Sequence, residues 1–241
     1  MKLPVIEGVI RRRILVNFRV EPEVIQQQLP ARLRPKLHGG KAIAGICLIR
    51  LEQIRPKGLP SHLGITSENA LHRIAVTWED ESGVMKEGVF IPRRDTGSRL
   101  NAFAGGRLFP GEHHFAHFEV TDSKEAISLA MRSSDGLVDL RVRGSVTDTL
   151  PATSTLRLGR RCVTILWADS IGFSVTKHPK RLDGISLQTK TWSIAPLNVT
   201  VVHSSYFSDA SKFPRGSVRF DCALLMRNIE HEWHSEPDFR N

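Results

Sequence analysis

Short runs of alternating apolar and polar residues, separated by turn residues, occupy most of the chain. Such runs predict β-strands, here at residues 14–20, 42–54, 72–78, 89–92, 113–120, 126–131, 137–142, 185–192, 197–202 and 217–233. Turn sequences at 81–83 and 133–136 predict hairpins between neighbouring strands. The pattern therefore predicts a mainly β (α+β) fold. Its strands are mostly antiparallel and close, or nearly close, into a barrel, because closure removes exposed edges.

Helical signals are few. Pro22 suits a first helical turn and Pro30 a helix end, which together predict a short amphipathic helix. Residues 155–168 fit either a helix or a buried strand, and their periodicity does not decide between the two.

The stretch 88–120 concentrates glycines, arginines and histidines between two strand-like segments. Pro92 has no N–H to donate and is expected to end the first of these strands. Ser98, or Asp95 before it, can cap a short helix, and the glycine pair at 105–106 is expected to stop that helix. The stretch is thus predicted to run from strand to helix to strand.

Such an excursion places charged residues near the ends of elements, where function is more common than in element interiors. The candidate ligand-binding residues are Arg93, Arg94, Arg107, Pro110, Gly111 and His114. Glu112, beside Gly111, and Glu68, ahead of the strand that begins at His72, are candidate catalytic acid/base groups if they face a cavity.

The length of 241 residues and the absence of a linker, repeat or low-complexity run predict a single domain over 1–241. No long uncharged apolar run is present, so no membrane span is expected. Glu7 interrupts the apolar N-terminal residues, which argues against a signal peptide and for a cytoplasmic protein. Three widely spaced cysteines, Cys47, Cys162 and Cys222, are expected to be reduced core residues.

The net charge of +9 favours an anionic partner without saying which kind. The basic clusters at 11–13 and 177–181 lack the interleaved aromatic residues of a single-strand nucleic-acid groove, so a solvated basic face is the better interpretation. The expected partner is a small-molecule ligand, not nucleic acid, and the sequence leaves homo-oligomerisation open.

His113, His114 and His117 raise the question of a metal site. On a helix His113 and His117 would share a face, as in zinc proteases. On the predicted strand they are separated by roughly 13 Å, at about 3.3 Å per residue, which is too far for one ion. We therefore predict no metal, and packed or hydrogen-bonded strand histidines instead.

Ordinary catalytic and nucleotide-binding motifs are missing from the chain. There is no Gly-x-Ser-x-Gly nucleophile elbow, no phosphate loop and no dinucleotide fingerprint. Common hydrolase and nucleotide-dependent functions therefore lose their main support, and no cofactor is predicted.

Several strings of residues together resemble a known family. They are LVNFRV at 15–20, ENALHR at 68–73, the stretch 88–111 and the C-terminal segment 221–233. They are similar to the YqjF-like family of uncharacterised proteins, which is grouped with acetoacetate decarboxylase. The resemblance implies an acetoacetate decarboxylase-like antiparallel β-barrel with a few short helices, enclosing an apolar cavity.

In the decarboxylase, a Gly-Arg pair is followed by a proline and two lysines, and the first lysine forms a Schiff base while the second lowers its pKa. Here Gly106-Arg107 leads to Pro110, and Gly111 and Glu112 stand where the lysines would be. Without an amine at that point no imine can form there, and a glutamate would raise the pKa of a nearby lysine. The comparison implies the barrel without Schiff-base decarboxylase activity.

Two hypotheses on function remain. The first is a binding barrel for a small, anionic organic molecule, which needs only a cavity and an anchoring charge. The second is an enzyme of lyase or hydrolase type that acts on a small carboxylate or carbonyl compound, with Glu112 or Glu68 as base and Arg107 stabilising negative charge. A buried carboxylate and Arg107 on one cavity wall would favour the second.

Overall fold

The computed structural model describes residues 4–105, 110–156, 171–178, 181–189 and 193–240. Its strands are β1 (Ile6–Val20), β2 (Arg34–Pro35), β3 (Leu37–His38), β4 (Lys41–Pro56), β5 (Ile65–Glu79), β6 (Met85–Thr96), β7 (His113–Asp122), β8 (Ala126–Ser133), β9 (Asp139–Val146), β10 (Ile171–Val175), β11 (Arg181–Thr189), β12 (Ala195–Ser204) and β13 (Val218–Arg240). Its helices are α1 (Pro22–Gln28), α2 (Arg99–Ala104), α3 (Ser205–Ser208) and a 3-10 turn at Ser61–Leu63. The predicted mainly β fold is confirmed.

Strand pairing closes the sheet on itself. The order β6-β7-β8-β9-β12-β13-β1-β4-β5 returns to β6, because β5 and β6 also pair. The strands β10 and β11 form a second path from β6 to β13. The two closed paths share β13, β1, β4, β5 and β6. Among the described strands, β6 runs parallel to β10 and β7, and the other pairs are antiparallel, as the sequence predicts for most of the sheet.

The shared strands are buried on both faces, so their side chains alternate between two cores. The main core includes Val16, Ile46, Ile74 and Leu140. The second core includes Leu15, Cys47, Leu71 and Ile91. A strand covered on both faces needs a nearly continuous apolar run, which explains the ILVNF sequence in the middle of β1.

This two-sided burial corrects the expectation of a solvated basic face at 11–13. Arg12 and Arg13 are 2% and 3% exposed, although the side chain of Arg11 is half exposed. Two cations of a run that looks like a surface feature therefore lie inside the protein.

β6 continues past Pro92, so the expectation that this proline ends the strand is wrong. The register with β5 shifts between His72 and Ile74, which leaves an extra residue on β6, as in a β-bulge. On its other edge, β6 pairs with β10 up to Ile91 and with β7 from Arg94 onwards. Pro92 lies where β6 changes neighbours, so its missing N–H falls at a gap between the two ladders.

The helix predictions hold where the chain is described. The helix expected after Pro22 is α1, and Ser98, not Asp95, caps α2 by accepting the N–H of Asn101 at 3.2 Å. Gly105 follows α2 as expected, whereas Gly106 lies outside the described residues.

Two further expectations meet the structure only in part. Of the ambiguous stretch 155–168, residues 157–168 lie outside the described part of the chain, as does Cys162. Cys47 and Cys222 are buried free thiols, as predicted. No helix in the described ranges is long and apolar enough to span a membrane.

Candidate functional site

A cavity of about 120 Å³ lies inside the closed path formed by β6, β10, β11, β13, β1, β4 and β5. Each of these strands contributes to its wall. The apolar part of the wall includes Ile10, Ile49, Leu51, Leu71, Ile91, Ile185, Leu187 and Trp233. The polar part consists of Arg13, Asn69, Arg94, Asp95, Asn101 and His113. An apolar pocket with a few convergent polar groups is the usual form of a small-molecule site.

Arg94 supplies a part-buried positive charge to this wall. Its Nε and Nη2 atoms donate to Ser174 Oγ at 3.0 and 2.8 Å. None of the described residues places a carboxylate within ion-pair distance of its guanidinium. Burial lowers the pKa of Arg94 to about 10, although the negative charge of Asp183 opposes the shift, so the group remains cationic at neutral pH.

Two more guanidinium groups lie on the same face of the shared strands. Arg13 lines the cavity, and its Nε donates to Cys47 Sγ at 3.2 Å. Arg73 is fully buried and donates to Asn17 Oδ1. Burial lowers the pKa of Arg73 to about 9, and the positive charge of Arg13 contributes to the lowering. Three guanidinium groups, those of Arg13, Arg73 and Arg94, therefore lie on this face of the shared strands.

His113 lies beside Arg94, because the two residues are register partners in the parallel pair of β6 and β7. Its Nδ1 is 3.1 Å from the carbonyl oxygen of Gly111. Burial and the adjacent charge of Arg94 lower the pKa of His113 to about 3, so the ring is neutral at physiological pH.

The turn at Pro110 and Gly111 covers Arg94 and Ser174. Gly111 has φ +80°, a conformation that side chains with a Cβ rarely adopt, and its N–H donates to Asp183 Oδ2 at 2.9 Å. A Cβ on Gly111 would lie 2.5 Å from the Cβ of Ser174. Glycine is therefore required here for close packing against the site, and Pro110 itself lines the cavity.

Two asparagines complete the polar wall. Asn69 donates to Ser67 Oγ at 2.9 Å, and Asn101 donates to the same oxygen at 3.4 Å. The Oδ1 atom of Asn101 is buried and accepts no hydrogen bond from any described residue. Neither asparagine, nor Arg13 or His113, is among the candidate ligand-binding residues that the sequence suggests.

Arg93 points to the opposite face of β6 from Arg94. Its guanidinium forms ion pairs of 2.8 Å with both Asp95 and Asp135. Burial works against the charged form, but the bonds to Asp95 and the charges of both carboxylates outweigh it, so the pKa of Arg93 is raised. His114 lies in the same group, with its Nδ1 3.4 Å from Asp135 Oδ2. The structure thus separates Arg93 and His114 from the cavity that Arg94 lines.

The two candidate glutamates do not line the cavity. Glu68 lies inside β5, not ahead of it as expected, and pairs with Arg12 at 2.5 Å and Arg50 at 3.6 Å. Burial raises the pKa of Glu68, and the two arginines oppose the rise. Glu112 precedes β7, where its N–H donates to the carbonyl of Val175 at 2.9 Å. Arg107 lies outside the described residues.

Asp95 is the carboxylate that borders the cavity within the described ranges. Both of its oxygens accept hydrogen bonds from Arg93. Burial raises the pKa of Asp95, although Arg93 opposes this shift. Its side chain is therefore engaged in an ion pair and is not free to act on a ligand.

The histidines of β7 lie on a strand, as predicted from the alternation of residues 113–120. The described residues contain no group of three or more His, Cys, Asp or Glu side chains that could hold a metal ion.

Comparison with known proteins assigns the chain to a family. The family model DUF2071, described as an uncharacterized conserved protein, matches residues 9–222. The chain belongs to the DUF2071 family. A search of the curated proteins finds no significant match to this DUF2071 protein.

Solved structures resemble this DUF2071 protein along its whole length. Acetoacetate decarboxylase from Legionella pneumophila is 10% identical, with a TM-score of 0.64, and the match covers 98% of this chain and 89% of that one. An acetoacetate decarboxylase-like enzyme from Sphingomonas wittichii is 13% identical, with a TM-score of 0.59 and coverage of 99% and 92%. The enduracididine biosynthesis enzyme MppR, complexed with pyruvate, is 13% identical, with a TM-score of 0.60 and coverage of 100% and 91%.

At such low identity the likeness establishes the fold alone. The predicted relationship to an uncharacterised family with the acetoacetate decarboxylase-like fold is confirmed.

Proposed function

We propose that the protein binds a small, anionic organic molecule in the cavity and that Arg94 holds its carboxylate. The observation that carries the proposal is the part-buried guanidinium of Arg94, which lines the cavity and donates to a hydroxyl, with no carboxylate of the described residues within ion-pair distance. A buried charge without a counter-ion is costly, and a ligand carboxylate would offset that cost through the hydrogen bonds that arginine favours.

The size and lining of the cavity support a ligand of few heavy atoms. A cavity of roughly 150 Å³ in another protein accommodates benzene, and the volume here is about 120 Å³. Isoleucine, leucine and tryptophan side chains form most of the wall away from Arg94. A short organic acid with an apolar end suits both parts of this wall.

The complex of MppR with pyruvate provides a parallel, because that enzyme has the same fold and binds a small carboxylate. The parallel concerns the type of ligand that this fold can enclose. The presence of three guanidinium groups on this face, those of Arg13, Arg73 and Arg94, supports an anion in the present chain.

The proposal includes the absence of Schiff-base decarboxylase activity. No lysine lies among the described residues of the cavity wall, and Gly111 and Glu112 occupy the positions at which the decarboxylase has lysines. Incubation with acetoacetate and borohydride, followed by mass measurement of the intact protein, should give no adduct. A mass increment that maps to one lysine would refute this part of the proposal.

The carboxylate acid/base alternative has less support. Glu68 and Glu112 do not line the cavity, and Asp95 is held by Arg93. The acid/base roles of the two glutamates stay predictions.

Calorimetric titration with pyruvate and with 3-methylbutanoate tests the proposal. We expect both acids to bind the unmodified protein, and Arg94→Met to weaken binding by about 10- to 100-fold, because a charge-assisted hydrogen-bonded pair is lost. Arg11→Met is the matched control, since it removes the same charge from an exposed site paired with Glu52. No binding of either acid, or equal affinity in Arg94→Met and Arg11→Met, would refute the proposal.

A further inference from the structure

The hydrogen bond between His113 and Gly111 fixes the tautomer of the imidazole. The partner of Nδ1 is a carbonyl oxygen, which can only accept, so Nδ1 must carry the proton. Because the ring is neutral, Nε2 then carries a lone pair. His113 therefore presents a hydrogen-bond acceptor, not a donor, to a partner on its Nε2 side.

His113 lies next to the proposed carboxylate anchor. Arg94 and His113 are register partners on adjacent strands, which places their backbones about 4.8 Å apart, and both line the cavity. A ligand that has a carboxylate at one carbon and a polar group at the next carbon is the right size to contact both side chains.

A second acceptor belongs to the same wall. Asn101 lines the cavity, and its buried Oδ1 accepts no hydrogen bond from the described residues. Buried polar atoms are normally hydrogen-bonded, so acceptors without donors indicate a ligand or a water that donates. Asn101 Oδ1 is thus a second atom of this wall that could accept a hydrogen bond from a ligand.

A ligand can donate through an ammonium group or through a hydroxyl. Arg13, Arg73 and Arg94 all lie on this face, and their positive charges disfavour a further cation in the cavity. A neutral hydroxyl donates without this repulsion. The chemistry of the wall therefore selects a hydroxyl over an ammonium.

We propose, on the basis of the function proposed above, that the site recognises a small 2-hydroxy carboxylate in preference to the corresponding 2-oxo carboxylate, with the carboxylate on Arg94 and the hydroxyl donating to Nε2 of His113. The oxygen of a 2-oxo acid has no hydrogen to donate and would face the lone pair of Nε2. Inverting the tautomer would not help, because Nδ1 would then place its own lone pair against the carbonyl of Gly111.

A series of probes with one carbon skeleton isolates the hydroxyl. The probes are both enantiomers of 2-hydroxy-3-methylbutanoate, together with 3-methyl-2-oxobutanoate, 3-methylbutanoate and valine, each titrated calorimetrically. The branched end suits the aliphatic wall of the cavity. We expect one enantiomer of the hydroxy acid to bind at least tenfold more tightly than the oxo acid, the unsubstituted acid and valine, because only the hydroxyl satisfies the acceptor without adding charge.

Variants of β7 then assign the preference to His113. In His113→Phe the hydroxy acid should no longer bind more tightly than the oxo acid, while the affinity for 3-methylbutanoate should change less than threefold. His117→Phe is the control, since His117 lies on the same strand but is exposed, and it should retain the preference. If His113→Phe does not fold, the ranking of the probes on the unmodified protein still decides the question.

The outcomes separate the two proposals. Carboxylate binding that depends on Arg94, with equal affinity for the hydroxy and oxo acids, overturns the 2-hydroxy assignment and leaves the proposed function standing. A preference that persists in His113→Phe overturns the role of His113. Failure of every carboxylate to bind refutes the proposed function and this assignment with it.

Discussion

Arg93 and Arg94 are consecutive residues of one strand with opposite environments. Arg93 makes ion pairs with Asp95 and Asp135, and the pKa of its guanidinium is raised because these bonds outweigh its burial. The guanidinium of Arg94 donates hydrogen bonds to the hydroxyl oxygen of Ser174, and burial lowers the pKa of Arg94 to about 10. The period of two along a strand sends the two cations to different faces of the same sheet.

The difference separates a cation whose charge is matched within the protein from a cation that faces a cavity. On the face of Arg93, the buried charges are matched within the protein, as they are for Arg12 with Glu68 and Asp122. On the face of Arg94, a cavity remains where a counter-ion could enter. Breaking the first arrangement should affect folding, whereas breaking the second should affect binding.

The largest expected effect is that of Arg93→Met. It leaves the carboxylate of Asp95, whose side chain is 0% exposed, without its main partner. Removing one member of a buried ion pair costs about 3–5 kcal/mol, so we expect a loss of about 3 kcal/mol in the free energy of unfolding by urea.

Arg94→Met is the matched control for this measurement. It removes a part-buried cation that has no carboxylate of the described residues within ion-pair distance, so the change in unfolding free energy should be within about 1 kcal/mol. A loss for Arg94→Met as large as that for Arg93→Met would contradict the division between the two faces.

A smaller effect is expected from Gly111→Ala. The substitution combines strain at φ +80° with a 2.5 Å contact between its Cβ and the Cβ of Ser174. We expect a loss of about 2–3 kcal/mol in unfolding free energy, from backbone strain of about 1 kcal/mol and the steric contact. We also expect weaker carboxylate binding, because the displaced turn holds His113 and packs on Arg94.

Gly136→Ala provides the control, since Gly136 has φ +72° but no atom within 4 Å of an added Cβ. It should show the backbone strain alone, at about 1 kcal/mol, with unchanged binding. Equal losses in the two variants would mean that the turn adjusts around the new methyl group at no cost.

The last expected effect concerns the pH dependence of stability and the main core. His72 is fully buried against Tyr206, with ring centroids 4.3 Å apart, and burial, with smaller contributions from Arg93 and Lys212, lowers its pKa to about 3. The unfolded chain takes up this proton near pH 6.5. The stabilising contribution is thus complete above pH 6.5 and is lost as the pH falls towards 3, by about 1.4 kcal/mol per pH unit between pH 6 and pH 4.

His72→Phe should remove this contribution, since phenylalanine can stack on Tyr206 without titrating. Urea unfolding at pH 4, 5, 6 and 7 should therefore give a shallower pH dependence for His72→Phe than for the unmodified protein. His62→Phe, at an exposed position, should leave the slope unchanged. An unaltered slope in His72→Phe would show that His72 is not the source of the pH dependence of stability.

Much of the fold is predictable because alternation and turn residues report local structure directly. The hairpin at Asp135-Gly136, the strand at His113 and the cap at Ser98 all follow from such signals. The expectation for Pro92 fails because a missing N–H interrupts a strand only where a hydrogen-bonding strand lies opposite. At Pro92 the neighbour of β6 changes from β10 to β7, and this change depends on residues far away in the sequence.

The site is predictable only in part. The central stretch directs attention to Arg94, Pro110 and Gly111, which line or cover the cavity, but strand alternation alone does not say which face of β6 encloses a cavity. Arg13 is concealed in a run of three arginines that resembles a surface cluster, and its burial follows from the coverage of β1 on both faces. Asn101 carries no sequence signal, since its significance rests on an unmatched oxygen.

The parallel pairing of β10 with β6 joins parts of the chain that are far apart in sequence, such as Gly88 and Ile171. By contrast, β4 to β6 and β7 to β9 pair with strands next to them in sequence. Closing long loops slows folding, and parallel pairs are slow to form. We therefore expect the antiparallel ladders to appear first during refolding and the ability to bind a ligand to be acquired in a later kinetic phase, when the ring around Arg94 closes.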